Sequence, residues 1–458
     1  MRLTVIGTGY VGAVHAACMT EIGHEVLGVD TDAERIAGLT CARPPFREPG
    51  LSEILRRAVD AGTLRFTTSP AEAARFGDTH FICVGTPQDP DSGVADLRYV
   101  DAALDGLLPH LRGSGYRRVL VVGKSTVPVG TAGRLAARLH VAAQDGEVAW
   151  NPEFLREGCA VRDALRPERI VVGVRSDQAE ARLREIYAPL LQEGTPFIVT
   201  DPATAELVKL ASNSFLATKI SFINAMAEIC DATGADVLTL AEAMGRDSRI
   251  GPRFLAPGLG YGGSCLPKDI RAFAALADEL GQGRSAALLR QVDEINTRQR
   301  TRCVDLAQRL AGGSFADRNI AVLGASFKPH SDDVRDSPAL AVADAVRRRG
   351  AQVRVHDPEA VDNARAAYPA LQFALDVTKA CEKADVVLHL TEWPQYQELD
   401  PAALAAVVRT PAMVDARNTL DPAAWRAAGW TLCAPGRPRL GERREELMIT
   451  RDCRWVRS

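Results

Sequence analysis

The chain has 458 residues, of which 46% are hydrophobic and 25% charged, and its formal net charge is −3 at pH 7. This is the balance of a soluble globular protein, and such a small net charge gives no electrostatic reason to expect nucleic acid or an anionic membrane as a partner. Ten cysteines are scattered without a CxxC pair, a usage that favours reduced thiols over a disulfide framework or a zinc site. No apolar run approaches the ~18 residues of a membrane span, and glycines interrupt the apolar start, unlike a signal peptide. We expect a cytoplasmic protein without a bound metal.

Strand-like and helix-like segments alternate through roughly the first 200 residues. Residues 100–111, for example, have a helical pattern between two apolar strand-like runs. Alternation of this kind predicts a doubly wound parallel sheet. The strand-like segments span residues 3–7, 25–30, 79–87, 117–128, 146–154 and 169–174.

The alternation stops near residue 200, where one very long helix is predicted. Residues 203–233 contain no glycine or proline, and apolar residues recur at helical spacing. Asp201 and Pro202 supply a cap and a first-turn proline. Such a helix of about thirty residues would be about 45 Å long. More helix follows to about residue 311, and the section suits a spacer between domains and a dimer surface.

The third section repeats the plan of the first. Its strand-like segments are 319–329, 352–358, 384–394, 412–418 and 430–436, with a helix predicted over 337–349. The sequence therefore predicts an α/β protein with two Rossmann-like doubly wound parallel-sheet domains, joined by a helical domain with one long central helix. The predicted domains are residues 1–197, 198–311 and 312–458.

The sequence "VIGTGYVGAVHA" predicts a dinucleotide site. Gly7, Gly9 and Gly12 form G-x-G-x-x-G between a strand and a helix, which suits a tight turn, approach to a pyrophosphate and close helix packing. The phosphates would lie at the helix N-terminus. Asp30 ends the next strand, where a carboxylate binds both ribose hydroxyls and repels a 2′-phosphate, so NAD is favoured over NADP. In the third section, "VLGASF" lacks the second and third glycines, and we do not expect it to bind a second NAD in the same way.

The stretch "GLGYGGSCLPKDIRAF", residues 258–273, presents a cysteine in a loop rich in glycine and charge. Pro267 suits the first turn of a helix, so Cys265 would lie just outside a helix N-terminus, where the dipole favours a thiolate. Asp269 lies four residues further on, so both side chains can face one site. These residues indicate covalent catalysis on a carbonyl, although a structural cysteine near a helix cap is the alternative.

The predicted long helix carries polar residues where a core would be expected. Lys209, Asn213 and Asn224 project within a narrow arc, since they are separated by four and eleven residues. That arc faces either solvent or a polar cavity, and the spacing leaves both possibilities open. Two loops that follow strand ends carry Thr126 and the pair Glu153 and Glu157, where doubly wound sheets place ligands. Ordinary loop chemistry is the alternative there.

Taken together, these segments make the chain resemble the nucleotide-sugar dehydrogenases, the UDP-glucose/GDP-mannose dehydrogenase family. The resemblance runs through nearly the whole chain in family order. The matching stretches are "GTGYVG" (7–12), "EPGL" (48–51), "VGTP" (84–87), "STVPVGT" (125–131), "NPEFLREG" (151–158), "KLASNSFLATKISFINAMAEIC" (209–230), "DSRIGPRFLAPGLGYGGSCLPKD" (247–269), "FKPHSDDVRDSP" (327–338) and "DARN" (415–418).

The resemblance implies an NAD-dependent, four-electron oxidation of UDP-glucose to UDP-glucuronate through a thiohemiacetal and a thioester, with GDP-mannose as the alternative substrate. A two-electron alcohol dehydrogenase and a non-catalytic NAD-binding regulator are the competing interpretations. The implied catalytic residues are Cys265 as nucleophile, Asp269 and Lys209 as the acid–base and oxyanion-supporting pair, Glu153 in thioester hydrolysis, and Thr126 and Asn213 in placing water and substrate.

The resemblance also implies binding residues and a homodimer or higher homo-oligomer, in which Arg249 reaches a neighbouring subunit. Leu266 also occurs at its position in GDP-mannose enzymes, whereas "RIGPRFLAPGLGYGG" is more similar to the UDP-glucose type. Ser264 stands where UDP-N-acetylmannosamine relatives carry a histidine, and His330 replaces a commoner asparagine. The implied cofactor contacts are Gly7, Gly9, Tyr10, Val11, Gly12, Asp30, Arg35, Gly85, Thr86, Thr126, Glu157, Lys268 and Arg335. The implied substrate contacts are Phe154, Leu155, Glu157, Lys209, Asn213, Arg249, Phe254, Leu255, Gly258, Tyr261, Gly262, Lys328 and Arg417.

Overall fold

The computed structural model describes residues 1–89, 93–111 and 118–438. Residue 117, the first of a predicted strand, and the end of the predicted third domain lie outside the described residues. The chain has two compact units, Met1–Ser214 with Lys268–Ala287, and Phe215–Pro267 with Leu288–Ser458. The three predicted domains with boundaries after residues 197 and 311 stay a prediction.

The first unit is built on an eight-stranded sheet with the order β3-β2-β1-β4-β5-β6-β7-β8. Its strands are β1 (Arg2–Ile6), β2 (Glu25–Val29), β3 (Leu64–Thr67), β4 (Thr79–Ile82), β5 (Leu120–Gly123), β6 (Glu147–Trp150), β7 (Ile170–Gly173) and β8 (Phe197–Thr200). Its helices are α1 (Tyr10–Glu21), α2 (Ala33–Thr40), α3 (Leu51–Asp60), α4 (Pro70–Phe76), α5 (Arg98–Leu111), α6 (Thr131–Ala142), α7 (Ala160–Leu165), α8 (Asp177–Ile186) and α9 (Ala188–Gln192).

The first six strands of this sheet are parallel, as predicted, but β7 runs antiparallel to β6 through a single pair, Trp150 with Gly173. Strand β8 is parallel to β7, so these two strands reverse the direction of the sheet. A parallel crossover needs a connection that spans the sheet face. The connection between β6 and β7 contains only the six-residue α7, which is about 9 Å long.

Two apolar cores cover the two faces of this sheet. In β5, Leu120 and Val122 pack into one core and Val121 into the other, because successive side chains of a strand point to opposite faces. Complete burial of each such side chain stabilises the fold by about 1.5–3 kcal/mol. The cores therefore hold the carboxyl ends of the parallel strands, and the loops that follow them, in fixed positions.

The central helices are α10 (Pro202–Thr233), α11 (Val237–Arg246), α12 (Leu266–Glu279) and α13 (Gly283–Leu310). The prediction of one long helix is confirmed, since α10 has 32 residues. Its start follows the predicted capping chemistry, because the backbone N–H of Thr204 donates to Asp201 Oδ1 over 2.9 Å. Within the described part of the chain, no helix is long and apolar enough to span a bilayer.

The second unit contains a six-stranded, all-parallel sheet with the order β11-β10-β9-β12-β13-β14. This confirms the predicted second Rossmann-like sheet. Its strands are β9 (Asn319–Leu323), β10 (Gln352–His356), β11 (Gln372–Phe373), β12 (Val386–His389), β13 (Ala412–Asp415) and β14 (Thr431–Cys433). Its remaining helices are α14 (Pro338–Arg348), α15 (Val361–Ala367), α16 (Val377–Cys381), α17 (Pro394–Gln397), α18 (Pro401–Ala405) and α19 (Pro422–Ala427).

Candidate active site

The glycine turn after β1 is shaped by steric contact. Gly7 has φ +87°, and a Cβ at Gly12 would lie 1.7 Å from the carbonyl oxygen of Gly7, so neither position accepts a side chain without movement of the backbone. A Cβ at Gly9 or Gly85 would meet no atom of the described chain within 4 Å. Gly9 directly precedes α1 and borders open space, which fits a pyrophosphate at a helix N-terminus.

Asp30 lies directly after β2, as the sequence predicted. Its Oδ2 accepts hydrogen bonds from the backbone N–H of Thr8 over 2.8 Å and from Arg35 Nη1 over 3.0 Å. Burial opposes ionisation, but hydrogen bonds from the backbone of Asp32 and Thr8 and from Arg35 outweigh it and lower the pKa of Asp30. An ionised carboxylate at this strand end suits the ribose of NAD and repels a 2′-phosphate.

Glu48 connects the cofactor turn with the loop after β6. Its carboxylate accepts a hydrogen bond from the Tyr10 hydroxyl, and from the backbone N–H groups of Gly158 and Ala160 over 2.7 Å each. Glu48 is buried, so these donors replace the water that it would lose. Burial, followed by the hydrogen bond to Glu48, raises the pKa of Tyr10.

The loop "NPEFLRE" turns its first carboxylate towards α10. Lys209 Nζ lies 3.0 Å from Glu153 Oε1, and the two side chains are only 5% and 8% exposed. Glu153 Oε2 accepts the backbone N–H of Leu155 over 2.6 Å, which fixes the carboxylate within its own loop. Lys209 Nζ also lies 5.6 Å from the centre of the Phe154 ring, within cation–π range. The helix face that carries Lys209 is therefore not a solvent-exposed stripe.

A second carboxylate is held one turn further along α10. Asn213 Nδ2 donates to Asp269 Oδ2 over 2.6 Å, and Lys268 Nζ donates to Asp269 Oδ1 over the same distance. Asp269 is 1% exposed. Both of its oxygens therefore have a donor within the first unit, and one donor is a cation.

Cys265 is a partly exposed thiol immediately before α12, as predicted. Its Sγ lies 3.5 Å from the Ser264 hydroxyl. The preceding glycine loop is held from α13, where Asn296 accepts the Tyr261 N–H over 2.8 Å and donates to the Tyr261 carbonyl over 3.0 Å. A Cβ at Gly260 would lie 2.3 Å from Asn296 Oδ1, so the glycine permits this close approach.

Two further side chains of the second unit hold the same loop. Asn224, the third polar residue of the predicted arc on α10, accepts the backbone N–H of Gly258 over 2.8 Å and is 1% exposed. Arg417 donates to the Gly260 carbonyl over 3.2 Å and to the Leu390 carbonyl over 2.7 Å. Asn224 therefore faces protein, which excludes the solvent alternative for this residue.

The glycine turn of the second sheet differs from the first in a way that bears on cofactor choice. Asp357 follows β10 as Asp30 follows β2, and its Oδ2 accepts the backbone N–H groups of Ala325 and Ser326 over 2.7 and 3.0 Å. Trp393 Nε1 also donates to this oxygen over 3.1 Å. The carboxylate is 3% exposed, so protein groups cover the position that a ribose would need.

Several sequence-predicted binding residues lie in loops or on the surface. Arg249 and Arg335 pair with Asp247 and Asp333 over 2.6 Å each, and their side chains are 87% and 62% exposed. The site roles of these and the following residues stay predictions. Thr86 donates to the carbonyl of Thr126 over 2.7 Å, and Phe254 is half-buried with φ +65°. The other half-buried residues of the set are Val11, Leu155, Glu157 and Lys328. The buried residues are Leu255, Gly258, Tyr261 and Gly262.

Sequence reasoning missed Glu48, Lys124 and Asn296 as residues of the site. Glu48 lies within the quoted stretch "EPGL", and Lys124 directly precedes "STVPVGT", so their positions gave a signal that was not used. Asn296 lies in a helix without a distinctive motif. In the part of the chain that the structure describes, no cluster of three His, Cys, Asp or Glu side chains could hold a metal ion.

Three family models match the chain in order. They describe the NAD binding domain, the central domain and the UDP binding domain of the UDP-glucose/GDP-mannose dehydrogenase family, and they match residues 1–191, 203–298 and 321–422. The first description agrees with the glycine turn and Asp30, and NAD is the cofactor of this domain.

Curated relatives and solved structures agree with these matches. The chain is 42% identical to a UDP-glucose 6-dehydrogenase of Pseudomonas aeruginosa, over 96% of this chain and 98% of the relative. It is 40% identical to one of Rhizobium meliloti, over 96% of this chain and 100% of the relative. A UDP-glucose dehydrogenase structure from Pyrobaculum islandicum superposes with a TM-score of 0.85, at 40% identity, over 93% and 98% of the two chains. A GDP-mannose dehydrogenase structure from Pseudomonas aeruginosa gives 0.53, at 30% identity, over 92% and 97%. The chain belongs to the UDP-glucose/GDP-mannose dehydrogenase family.

Proposed function

We propose that this chain oxidises the C6 alcohol of UDP-glucose to the carboxylate of UDP-glucuronate, with reduction of two NAD⁺. The observation that carries the proposal is the position of Cys265, a partly exposed thiol directly before the helix that carries Asp269 in its first turn. A dehydrogenase that stops at the aldehyde needs no nucleophile. A non-catalytic regulator needs neither this thiol nor buried Lys209 and Asp269.

The reaction needs the thiol because the aldehyde can give up a second hydride only after a nucleophile has added to its carbonyl carbon. The alcohol first loses a hydride and a proton to become the aldehyde. The Cys265 thiolate then adds to the carbonyl carbon, and the oxygen takes up a proton. The resulting thiohemiacetal loses a second hydride and its hydroxyl proton to become a thioester. Water cleaves the thioester to the carboxylate and releases the thiol. NAD⁺, when bound in the first unit, would supply the hydride acceptor for both oxidations.

Charged side chains would support the steps in which charge develops on oxygen. Asp269 would exchange protons with the C6 oxygen through water, and Lys209 would stabilise the oxyanion. Glu153 would position or activate the hydrolytic water. Asn213 holds Asp269, and the backbone N–H of Leu155 holds Glu153. These hydrogen bonds support the proposed roles, because side chains that are already held lose less entropy when the substrate binds.

UDP is favoured over GDP as the nucleotide. The curated relatives above are UDP-glucose 6-dehydrogenases, and the UDP-glucose dehydrogenase structure superposes far better than the GDP-mannose dehydrogenase structure. The third family model also describes a UDP binding domain. Leu266 also occurs at its position in GDP-mannose enzymes, but this single residue is weaker evidence than these matches.

A homodimer formed through α10 is part of the proposal. Phe215, Phe222 and Ile229 are 66%, 45% and 53% exposed and are spaced by seven residues, so they form one apolar stripe on the helix. An exposed stripe of this kind suits a second copy of the chain. In such a dimer, exposed Arg249 could reach the neighbouring subunit. A cytoplasmic location is a prediction from cysteine usage.

The experiment that tests the function compares products and stoichiometry. Purified enzyme with limiting UDP-glucose should form two NADH per sugar, and UDP-galactose and GDP-mannose should react at least about tenfold less efficiently. The Cys265→Ser variant should bind NAD normally and form no carboxylate. One NADH per sugar, or steady carboxylate formation by Cys265→Ser, would contradict the proposal.

A further inference from the structure

Lys124 is a buried lysine that the proposed reaction does not use. It directly follows β5 and is 7% exposed. Its Nζ donates to Asn151 Oδ1 over 2.9 Å and approaches the Asn151 carbonyl at 3.4 Å. Asn151 begins the loop that presents Glu153, so Lys124 holds the first residue of that loop.

Asn151 has further partners that do not depend on Lys124. Its Oδ1 also accepts the Tyr187 hydroxyl over 2.6 Å, and its Nδ2 donates to the Val171 carbonyl over 2.8 Å. Two side-chain hydrogen bonds therefore remain on Asn151 when Lys124 is replaced. A structural role in fixing Asn151 alone would make Lys124 and Tyr187 nearly equivalent.

The two residues differ in charge. A buried ammonium is costly unless nearby charges compensate it, and the hydrogen-bond acceptors of Lys124 among the described residues are neutral oxygens of Asn151. The ionisable groups that interact with it electrostatically are Cys83, Glu153, Lys209 and His15. Burial lowers the pKa of Lys124, and so does the neighbouring Lys209, while Cys83 and Glu153 act in the opposite direction.

The cluster around Glu153 therefore contains two lysines and one carboxylate, all within the first unit. Lys209 contacts Glu153 directly over 3.0 Å, and Lys124 holds the residue two positions before it. A protonated Lys124 would give the cluster one net positive charge, together with protonated Lys209 and ionised Glu153. Such an environment favours hydroxide attack and the oxyanion of a tetrahedral intermediate.

We propose that Lys124 is a positioning residue for thioester hydrolysis: it fixes the loop that presents Glu153 and adds a second positive charge beside the Glu153–Lys209 pair. The inference rests on the proposed role of Glu153. In the hydrolytic step, water adds to the thioester carbon and the C–S bond breaks. The carboxylate product is released, and the Cys265 thiol is regenerated. No oxidant takes part, so the step can be separated from both hydride transfers.

The test compares Lys124→Met with Tyr187→Phe, which removes the other donor to the same Asn151 oxygen but no charge. Full-length enzyme is mixed with UDP-glucose and NAD⁺ in a rapid-quench instrument. NADH is followed by absorbance and the acyl adduct on Cys265 by intact-protein mass spectrometry. Lys124→Met should form about two NADH per subunit in the first turnover, accumulate the acyl adduct and lose about 30-fold or more in kcat. Its KM for UDP-glucose should change less than about threefold, and Tyr187→Phe should resemble the wild type.

Two further variants separate charge, hydrogen bond and folding. Lys124→Gln keeps a donor for Asn151 without the charge, and it should accumulate the acyl adduct even if Lys124→Met does not fold. Glu153→Gln is the reference for slow hydrolysis. If Glu153→Gln accumulates the adduct but Lys124→Gln turns over normally, the inference on Lys124 is overturned. If Glu153→Gln itself does not accumulate adduct, the proposed role of Glu153 fails and the inference falls with it.

Discussion

Asn296 binds the main chain of Tyr261 at both its N–H and its carbonyl, over 2.8 and 3.0 Å. Asn296 is completely buried, so the two hydrogen bonds are made away from competing water. The loop that they hold continues to Cys265 four residues later. The relationship explains how a segment rich in glycine can present a thiol in a defined position.

We expect Asn296→Ala to lower kcat by about 10- to 100-fold, because the glycine loop loses its fixed position. The cost in stability should be about 1–3 kcal/mol, since the N–H and the carbonyl of Tyr261 lose the side chain that they bind. The rate of Cys265 alkylation by iodoacetamide should change as well. Steady-state kinetics, urea denaturation and mass-spectrometric alkylation rates measure the three effects.

Gln299→Ala is a matched control for this variant. Gln299 is a buried amide on the same helix, but it donates to Glu228 over 2.9 Å and not to the loop. It should lose stability while its alkylation rate stays at the wild-type value. Equal alkylation rates for Asn296→Ala and wild-type enzyme would show that the amide does not position the thiol.

Asp30→Asn should reduce the discrimination against NADP⁺. The amide oxygen can still accept the Thr8 N–H, so the turn is expected to persist, but the negative charge that repels a 2′-phosphate is gone. Arg35 then loses one of its two carboxylate partners and can bind a phosphate. The ratio of kcat/KM for NAD⁺ to that for NADP⁺ should fall by about tenfold or more, measured by NADH and NADPH formation.

Asp32→Asn is the control for this effect, since Asp32 is half-exposed and pairs with the same arginine over 3.4 Å. We expect it to change the cofactor ratio by less than about threefold, because exposed ion pairs contribute little. A ratio that stays unchanged in Asp30→Asn would contradict the assignment of Asp30 to the ribose.

Glu48→Gln should impair cofactor binding and the loop after β6 together. The amide group would turn an N–H donor towards the Tyr10 hydroxyl or towards the backbone N–H groups of Gly158 and Ala160, which need acceptors. We expect a loss of about 1–3 kcal/mol in stability and a higher KM for NAD⁺. Exposed Glu53 on α3 provides the control Glu53→Gln, which should leave both quantities unchanged. A normal KM for NAD⁺ in Glu48→Gln would mean that Glu48 only stabilises the fold.

Structural features that depend only on residues close in sequence could be predicted from the sequence. The glycine turn with Asp30 and the cysteine at the start of α12 depend on neighbours within one strand–turn–helix unit. The limits of α10 were predicted to within one residue because its capping residue and first-turn proline are local signals. For these features, residue type and spacing are sufficient.

Features that depend on distant partners were not predictable in the same way. Glu48 meets Gly158 across 110 positions, and Lys124 meets Asn151 across 27. Nothing in the local spacing says which carboxylate or amide will satisfy a buried group, because tertiary packing decides it. The reversal of β7 and β8 is of this kind, since either strand alone has the apolar pattern of its parallel neighbours.

The buried histidine of strand β4 gives the protein an acid-sensitive stability. His80 in β4 is completely buried, and its Nδ1 lies 2.6 Å from the Thr4 hydroxyl. Burial lowers the pKa of His80 from 6.5 to about 4. Between these two pH values the unfolded chain binds a proton that the folded chain does not, so stability falls as pH decreases, by about 1.4 kcal/mol per pH unit. From pH 7.5 to pH 5 this histidine should lower the free energy of unfolding by about 2 kcal/mol.

His80→Gln keeps a partner for Thr4 without titrating, and its urea midpoint should fall less over that range than the midpoint of the wild type. Exposed His140 on α6 gives the control His140→Gln, whose midpoints should follow those of the wild type. If His80→Gln and the wild type lost the same stability between the two pH values, the buried imidazole would not be the source of the acid sensitivity.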